Sequence, residues 1–341
     1  MEYIDRNHNR LAPRVYADLA KYGIPMQSRN GPVLRLPGVT TLVVQNPRER
    51  VNFCPVRDAN PFFHLMEALA MLGGYNNAPF LGYFAKNMLS YSDDGQRYNA
   101  FYGERLRTTW GDQLDLVIKE LAHDPASRQA VAQIWDPADL TRSTKDKACN
   151  LCLLFSVDHN GDLVMTSFNR SNDSIWGILS GANVVHLSLF QEYVACGLGR
   201  RCGEWTHVSN NLHVYTENPQ WAKVRDAELA DRYSDTSLPV YPGTALFGPP
   251  QMRATFDQEL RVFIKKLQHT IDTGVATQLA EIRDHGKSSF IRETAVPVAL
   301  AWVARKLGFG DKGMDWANCI AAHDWRVACK HWITRHDGGA K

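Results

Sequence analysis

Long apolar runs are missing from this chain: nowhere do 18 apolar residues follow one another, so no membrane-spanning helix is expected. The opening stretch, MEYIDRNHNRLAPRVYADLAKYG, is polar with both charge signs and lacks a secretory h-region. A soluble, cytoplasmic protein with no membrane partner is expected. An excess of one charge is missing too. The 38 basic and 36 acidic residues are well mixed and leave a net charge of +2, so no basic stripe marks a nucleic-acid polymer face. Cysteine is sparse and odd in number: Cys54, Cys149, Cys152, Cys196, Cys202, Cys319 and Cys329 show no disulfide-framework spacing and read as reduced and mostly buried. Repeats and low-complexity tracts are absent, which excludes a solenoid. What remains is 341 residues, 44% of them apolar, enough for a substantial core in one large domain or two smaller ones.

The pattern is mixed α and β. Residues 60–73, NPFFHLMEALAMLG, have helical apolar spacing, with Asn60 and Pro61 as start signals and the Gly73-Gly74 pair as a stop. One acid, Glu67, sits in that apolar surround. Residues 111–122 predict a second amphipathic helix, followed by the polar break HDPASR. From Leu151 the period changes to that of a strand, and DHNGD predicts a two-residue turn at Asn160 and Gly161 before the partner strand LVMTSFN. Residues 183–199 predict a buried helix ending at Gly197, and 212–216 a strand. The Pro/Gly-rich segment 238–251 marks a margin. Beyond it the chain reads as helical, with Trp302, Trp316, Trp325 and Trp332 as packing anchors. This gives a catalytic unit over 1–265 and a helical C-terminal extension over 266–341.

Chemistry concentrates in KACNLCLLFSVDHNGDLVMTSFNRSND, residues 147–173. Cys149-x-x-Cys152 has the spacing of half a zinc knuckle, but Cys196, Cys202 and His207 do not supply a second half at the right spacing, and no metal site is expected. A thioredoxin-like redox pair is disfavoured because no βαβ unit opens here. A nucleophile fits better. Cys149 and Arg170 stand at the two ends of the hairpin, which brings them together, and nearby positive charge stabilises a thiolate. Arg170 and Ser171 together offer a guanidinium and a hydroxyl to a phosphate. On the residues alone, a merely buried cysteine remains the alternative.

The order Cys149, then Arg170-Ser171-Asn172-Asp173, then Gly177, Asn183 and His213-Val214-Tyr215 resembles the thymidylate synthase and deoxynucleotide hydroxymethylase superfamily. Upstream, FFHLMEALAMLGGYNN resembles its HELLWFL-type helix, Tyr102-Gly103 its YG motif and DPASR its DPxSRR loop. The resemblance runs from about Arg29 to about Val262. It implies the thymidylate synthase fold, an α/β (α+β) twisted mixed sheet flanked by helices that dimerises through the sheet. It also implies that Cys149 attacks C6 of a pyrimidine nucleotide, and that C5 takes a one-carbon unit from 5,10-methylenetetrahydrofolate. Glu67 would position a proton-relaying water; a paired buried acid is the plainer reading. Tyr102 and Asp173 would complete the catalytic groups. Arg170 and Ser171 would grip the 5′-phosphate with Arg128 from a second subunit of a homodimer and with Arg29, which could equally be a solvated arginine. His213 and Tyr215 would bond the 3′-hydroxyl, Asn183 would read the base edge, and Asp173, Gly177 and Met88 would line the folate side. For Asp173 a capping role is the alternative.

Several positions depart from the family pattern. Asn150 stands for the usual His after the nucleophile, Leu154 for the usual Gln, and Gln129 for the second arginine of the DPxSRR loop. The tryptophans that shield the methylene intermediate are replaced by a stretch offering Met88 and Tyr91, and Gly177 to Asn183 is two residues longer than usual. A synthase must keep water from that intermediate until hydride arrives, whereas a hydroxymethylase admits water. The expected function is therefore folate-dependent C5 hydroxymethylation of dUMP, since an amide at 183 suits uracil where cytosine-specific relatives carry aspartate. Alternatives are plain thymidylate synthesis, then a dCMP-directed hydroxymethylase, and, from another class, a nucleotide- or RNA-binding dimer that has lost catalysis. The resemblance suggests a virus-encoded enzyme working in the host cytoplasm.

Overall fold

The computed structural model describes residues 1–227, 231–235 and 240–337. Leu238 and Pro239, the start of the Pro/Gly-rich margin, and the closing residues 338–341 lie outside the described residues. Among the described residues ten strands form two sheets: β1 (Glu2–Asp5), β2 (Ile24–Ser28), β3 (Gly31–Arg35), β4 (Thr40–Val44), β5 (Val131–Gln133), β6 (Asn150–Val157), β7 (Leu163–Asn169), β8 (Asn172–Asp173), β9 (Cys202–Ser209) and β10 (Leu212–Tyr215). The larger sheet runs β1-β4-β9-β7-β6-β5, with β1/β4 and β7/β9 parallel and the other pairs antiparallel. The smaller runs β2-β3-β10-β8, with β10 and β8 parallel.

Strand alternation divides the larger sheet into two faces. Leu42, Val44, Leu153, Phe155, Met165 and Trp205 are buried. Against this inner face lies the helix Ala182–Leu198, whose Gln191 Nε2 donates to the carbonyls of Leu163 and Gly203, each at 3.0 Å. On the outer face one row crosses all six strands in register: Ile4, Val43, Thr206, Thr166, Leu154 and Val131. Ile4, Leu154 and Val131 are exposed, and no helix among the described residues covers them.

The helices follow the sequence closely. Asn60 caps Pro61–Leu72 by accepting from the Phe63 N–H, and Asp112 caps Gln113–His123 through the Asp115 N–H. Two expectations need correction. Gly199, at φ 65°, closes the Ala182–Leu198 helix in the left-handed conformation; Gly197 lies inside it, where a Cβ would come within 2.5 Å of Ile118. The hairpin loop is longer than a two-residue type I′ turn. The Asp158 N–H donates to the Asp162 carbonyl, and only Gly161 has positive φ, at 81°, whereas type I′ needs positive φ at both central residues.

After the margin come helices Arg253–Thr273, Thr277–His285, Val296–Lys306, Gly310–Asn318 and His323–Asp337. Residue 265 falls inside the first of these. Trp302, Trp325 and Trp332 are buried, and Trp316 is half-buried beneath the Arg283 guanidinium. Phe62, on the helix that carries Glu67, touches both Trp302 and Trp332, with ring centroids 5.2 and 5.6 Å apart. The C-terminal helices thus share the core of the catalytic unit.

Candidate active site

A cavity of about 1570 Å³ opens where the ends of β6 and β7 meet the smaller sheet. Its wall includes Arg29, Tyr102, Cys149, Arg170, Ser171, Asp173, Gly177, Asn183, His213 and Tyr215. Residues far apart in sequence meet here because strand pairing joins their segments. The Arg170 N–H donates to the Cys149 carbonyl at 2.9 Å, and the Arg170 guanidinium donates to the carbonyls of Ala148 (2.8 Å) and Lys147 (3.0 Å). A bulge between Asn150 and Cys152 follows Cys149 directly, the kind of irregularity that re-aims a side chain beside a site. The Cys149 N–H donates to the Tyr102 hydroxyl at 3.3 Å, fixing the cysteine backbone to the helix Tyr102–Arg107.

Electrostatics at Cys149 are balanced rather than one-sided. Burial pushes its thiol up, while the charges of Arg170 and Arg29 pull it down and Asp146 opposes them. Burial prevails, while the two arginines act in the thiolate's favour, the direction expected from the hairpin. Burial likewise raises Tyr102 and keeps it a phenol. Arg29 lies on the β2–β3 turn, exposed, with Nη2 3.5 Å from the Lys145 carbonyl, and so stands at the cavity rim.

Asp173 does what a cap does: its Oδ1 accepts from the N–H groups of Ile175 (2.7 Å) and Trp176 (3.0 Å), starting the π-helical turn Ser174–Ile178. It also faces the cavity, and β8–β10 pairing sets it opposite His213. Burial raises the Asp173 carboxyl and lowers the His213 imidazole, each against the pull of the other. His213 Nδ1 lies 3.1 Å from the Asn211 side chain, and its ring meets Tyr215 edge-on at 5.2 Å. The π turn lies in the unusually long stretch before Asn183 and leaves Asn183 in the wall, in the first turn of its helix.

Gly177 is required by close approach: a Cβ there would lie 2.2 Å from Asn172 Oδ1. The Asn172 amide is set by a buried chain that sequence reading missed. His207 is driven down to about 3 by burial and stays neutral; its Nε2 lies 3.3 Å from Asn172 Nδ2 and its Nδ1 2.8 Å from Ser167 Oγ, which accepts from Trp205 Nε1 at 2.9 Å. Trp176 was also missed. It lies half-exposed in the wall with its ring 4.2 Å from the buried Arg57 guanidinium.

Three expected residues lie outside the wall. Met88 is turned away, packed against the core with its carbonyl accepting from the Tyr98 hydroxyl, and Tyr91 from the same 3₁₀ helix, Lys86–Tyr91, takes the cavity side instead. Glu67 is buried one layer back, its Oε2 3.6 Å from His186 Nδ1. Arg128 is exposed on the loop before Val131, at the edge of the sheet's open face. His186 gave only a weak signal, a lone polar residue three positions after Asn183 in an apolar helix.

The family model for thymidylate synthase matches residues 66–233, which hold Glu67, Tyr102, Arg128, Cys149, Arg170, Asn183 and Tyr215. A deoxyuridylate hydroxymethyltransferase of Pseudomonas phage M6 is 37% identical over 340 residues, covering 97% of this chain and 93% of that one. One of Bacillus phage SP01 is 40% identical over 188 residues, 51% of this chain and 48% of its own. A putative thymidylate synthase of Methanosarcina barkeri is 34% identical over 134 residues, 39% of this chain and 59% of its own. With Cys149, Arg170 and Asn183 in one wall, and with similarity of this extent, the chain belongs to the thymidylate synthase and deoxynucleotide hydroxymethylase superfamily.

Proposed function

We propose that the protein transfers a hydroxymethyl group to C5 of dUMP, using 5,10-methylenetetrahydrofolate. The observation that carries this reading is the single cavity in which Cys149, Arg170, Asn183 and the His213-Tyr215 pair face one another. The near full-length relative that bears the name deoxyuridylate hydroxymethyltransferase supports it. The cavity is large enough for two ligands side by side, and Trp176 and Tyr91 offer a flat aromatic surface beyond Asp173, so the residues present fit a folate next to a nucleotide. When bound, the folate supplies a one-carbon unit at the oxidation level of formaldehyde.

The chain's own residues do the rest. Arg170 and Ser171 hold the 5′-phosphate, joined by Arg29 from the rim and by Arg128 from a partner subunit. That phosphate places C6 of the base at Cys149 Sγ. Asn183 donates from its amide nitrogen to O4 and accepts from N3–H, a pattern that uracil matches and cytosine does not unless the amide turns over. Formation of the Cys149–C6 bond makes C5 nucleophilic, and the Tyr102 hydroxyl keeps the Cys149 backbone still during the attack. Glu67 acts through water, since it lies behind the wall. His213 and Tyr215 hold the sugar. The open sheet face supports a homodimer, and the host cytoplasm is the setting we propose.

Thymidylate synthesis is the second reading, and Trp176 favours it as a potential shield for the methylene intermediate. Intact-protein mass spectrometry with 5-fluoro-dUMP and methylenetetrahydrofolate tests the chemistry common to both: an adduct mapping to Cys149 is expected, and binding without an adduct would leave only a nucleotide-binding module.

A further inference from the structure

Glu67 and His186 form a buried pair whose hydrogen bonding is unfinished. The two residues are 5% and 1% exposed, and Glu67 Oε2 lies 3.6 Å from His186 Nδ1. Neither that oxygen nor either ring nitrogen has a hydrogen-bond partner among the described residues. Buried polar atoms are almost always paired, because leaving one unpaired costs about 1–3 kcal/mol. A gap of 3.6 Å closes with a small side-chain rotation, and bonds of this kind are often long before substrate arrives.

The surroundings give the pair a direction. His186 lies three residues beyond Asn183 on the same helix, so the base reader and the imidazole share a face. The His186 ring meets the Tyr102 ring edge-on at 5.6 Å, and the Tyr102 hydroxyl in turn accepts from the Cys149 N–H. Asn150, where the resembling proteins carry histidine, is fully buried with its side chain against the same hydroxyl. The imidazole missing at 150 is therefore present at 186, against the carboxylate that relays protons.

We propose that His186 is the positioning residue for Glu67: its Nδ1–H bonds Oε2 and holds the carboxylate so that Oε1 takes the proton from the water that hydrates the one-carbon unit. This rests on the hydroxymethyl-transfer reading above. In that step the water oxygen bonds to the exocyclic carbon on C5, and the electron pair of that C=C bond moves toward the C4 carbonyl oxygen. The water proton passes to Glu67 Oε1. The electrons then return to form C5=C6 as the C6–S bond breaks, and the proton on Glu67 passes to the departing Cys149 thiolate. The titratable groups facing the pair are Tyr98, which feels the Glu67 charge, Tyr102 with Cys149 behind it, and His64, which feels the His186 charge. Among the described residues no lysine or arginine pairs with Glu67, and His186 is the group set against its Oε2.

The test compares wild type with His186→Leu and His186→Gln. It follows pH profiles of kcat for hydroxymethyl-dUMP formation, KM for dUMP, and the 5-fluoro-dUMP adduct as a check that the site is folded. Leucine should lower kcat by about 100-fold, the low end for a proton-transfer group, with KM changed by less than about threefold. The acidic limb of kcat should move up by about one pH unit, because the carboxylate has lost the donor that favours its charged form. Glutamine, whose amide N–H reaches the same oxygen, should restore about a tenth of wild-type kcat and move the limb back. Wild-type kcat in the leucine variant, or a fall equal at every pH that glutamine does not relieve, would overturn the role of His186. A wild type that forms the adduct but no hydroxymethyl product overturns the functional reading instead.

Discussion

Cys149 is pulled in two directions, by burial toward the thiol and by Arg170 and Arg29 toward the thiolate. Removing Arg170 leaves burial unopposed on that side. Arg170→Gln should raise the pH midpoint for iodoacetamide alkylation of Cys149 and weaken dUMP binding by about 10- to 100-fold, the scale of a lost charged hydrogen-bond pair. An unchanged midpoint would mean that Arg170 does not set the state of the nucleophile. Cys149→Ala should abolish turnover while calorimetric dUMP affinity stays within a few-fold; measurable turnover in that variant would remove Cys149 from the mechanism. At this scale the sequence was informative where the partner is local. Cys149 and Arg170 are ends of one hairpin, and any hairpin register brings them together. His186 and His207 were not legible, because each acquires meaning only from a side chain on another element, Glu67 and Asn172, that no spacing rule connects to them. Met88 failed because the sequence does not show how the helix Lys86–Tyr91 lies on the core: Met88 packs against the core and Tyr91 lines the cavity.

The element that carries Glu67 is clamped by the C-terminal helices. Phe62 sits between Trp302 and Trp332, and Trp302 Nε1 donates to the Tyr83 carbonyl at 3.3 Å. Trp332→Ala should cost about 3–5 kcal/mol in urea unfolding and lower kcat more than it weakens dUMP binding, since the loosened helix holds Glu67 and not the phosphate clamp. Stability within 1 kcal/mol of wild type would show that the clamp is not structural. A second link is Asp324, at the start of the last helix, which accepts from the Tyr233 hydroxyl at 3.0 Å and is raised to about 6 by burial. A carboxyl raised on folding binds its proton more tightly in the native state. Its stabilisation is full below about pH 4 and is lost as pH rises through about 6. Asp324→Asn cannot ionise, so the stability of wild type relative to this variant should fall by up to about 3 kcal/mol between pH 4 and 7, read from thermal melts across that range. A difference that does not vary with pH would contradict the assignment. The helices themselves were legible because caps and apolar spacing are local signals. The clamp was not, because tryptophan spacing announces packing but not the surface packed against.

At the scale of the whole molecule, the open face of the larger sheet carries a row of uncharged side chains from Ile4 to Val131, four aliphatic and two threonines, with Arg128 at its edge. Two of the five neighbour pairs are parallel and three antiparallel in a sheet whose outer face no helix among the described residues covers, and a self-complementary two-fold contact would bury that face. Leu154→Arg should shift sedimentation from dimer to monomer and abolish activity. If Arg128 serves the partner's site, mixing the inactive variants Arg128→Ala and Cys149→Ala should restore about a quarter of the sites, because random exchange makes half the dimers mixed and each mixed dimer keeps one complete site. No recovery after confirmed exchange would place both residues in the same subunit's site. The fold class was legible because the motif order fixes which segments must converge. The bulge after Asn150 and the π turn before Asn183 were not, since each answers a close approach, such as that of Gly177 to Asn172, that appears only when the sheets are assembled.

The central claim is the product. Purified protein incubated with methylenetetrahydrofolate and either dUMP or dCMP, with nucleotides resolved by mass and dihydrofolate followed by absorbance, tests it most directly. Hydroxymethyl-dUMP without dihydrofolate, and no product from dCMP, is the result expected from Asn183 as the base reader and from a cavity that admits water. dTMP with stoichiometric dihydrofolate would contradict it and make Trp176 the shield of a synthase.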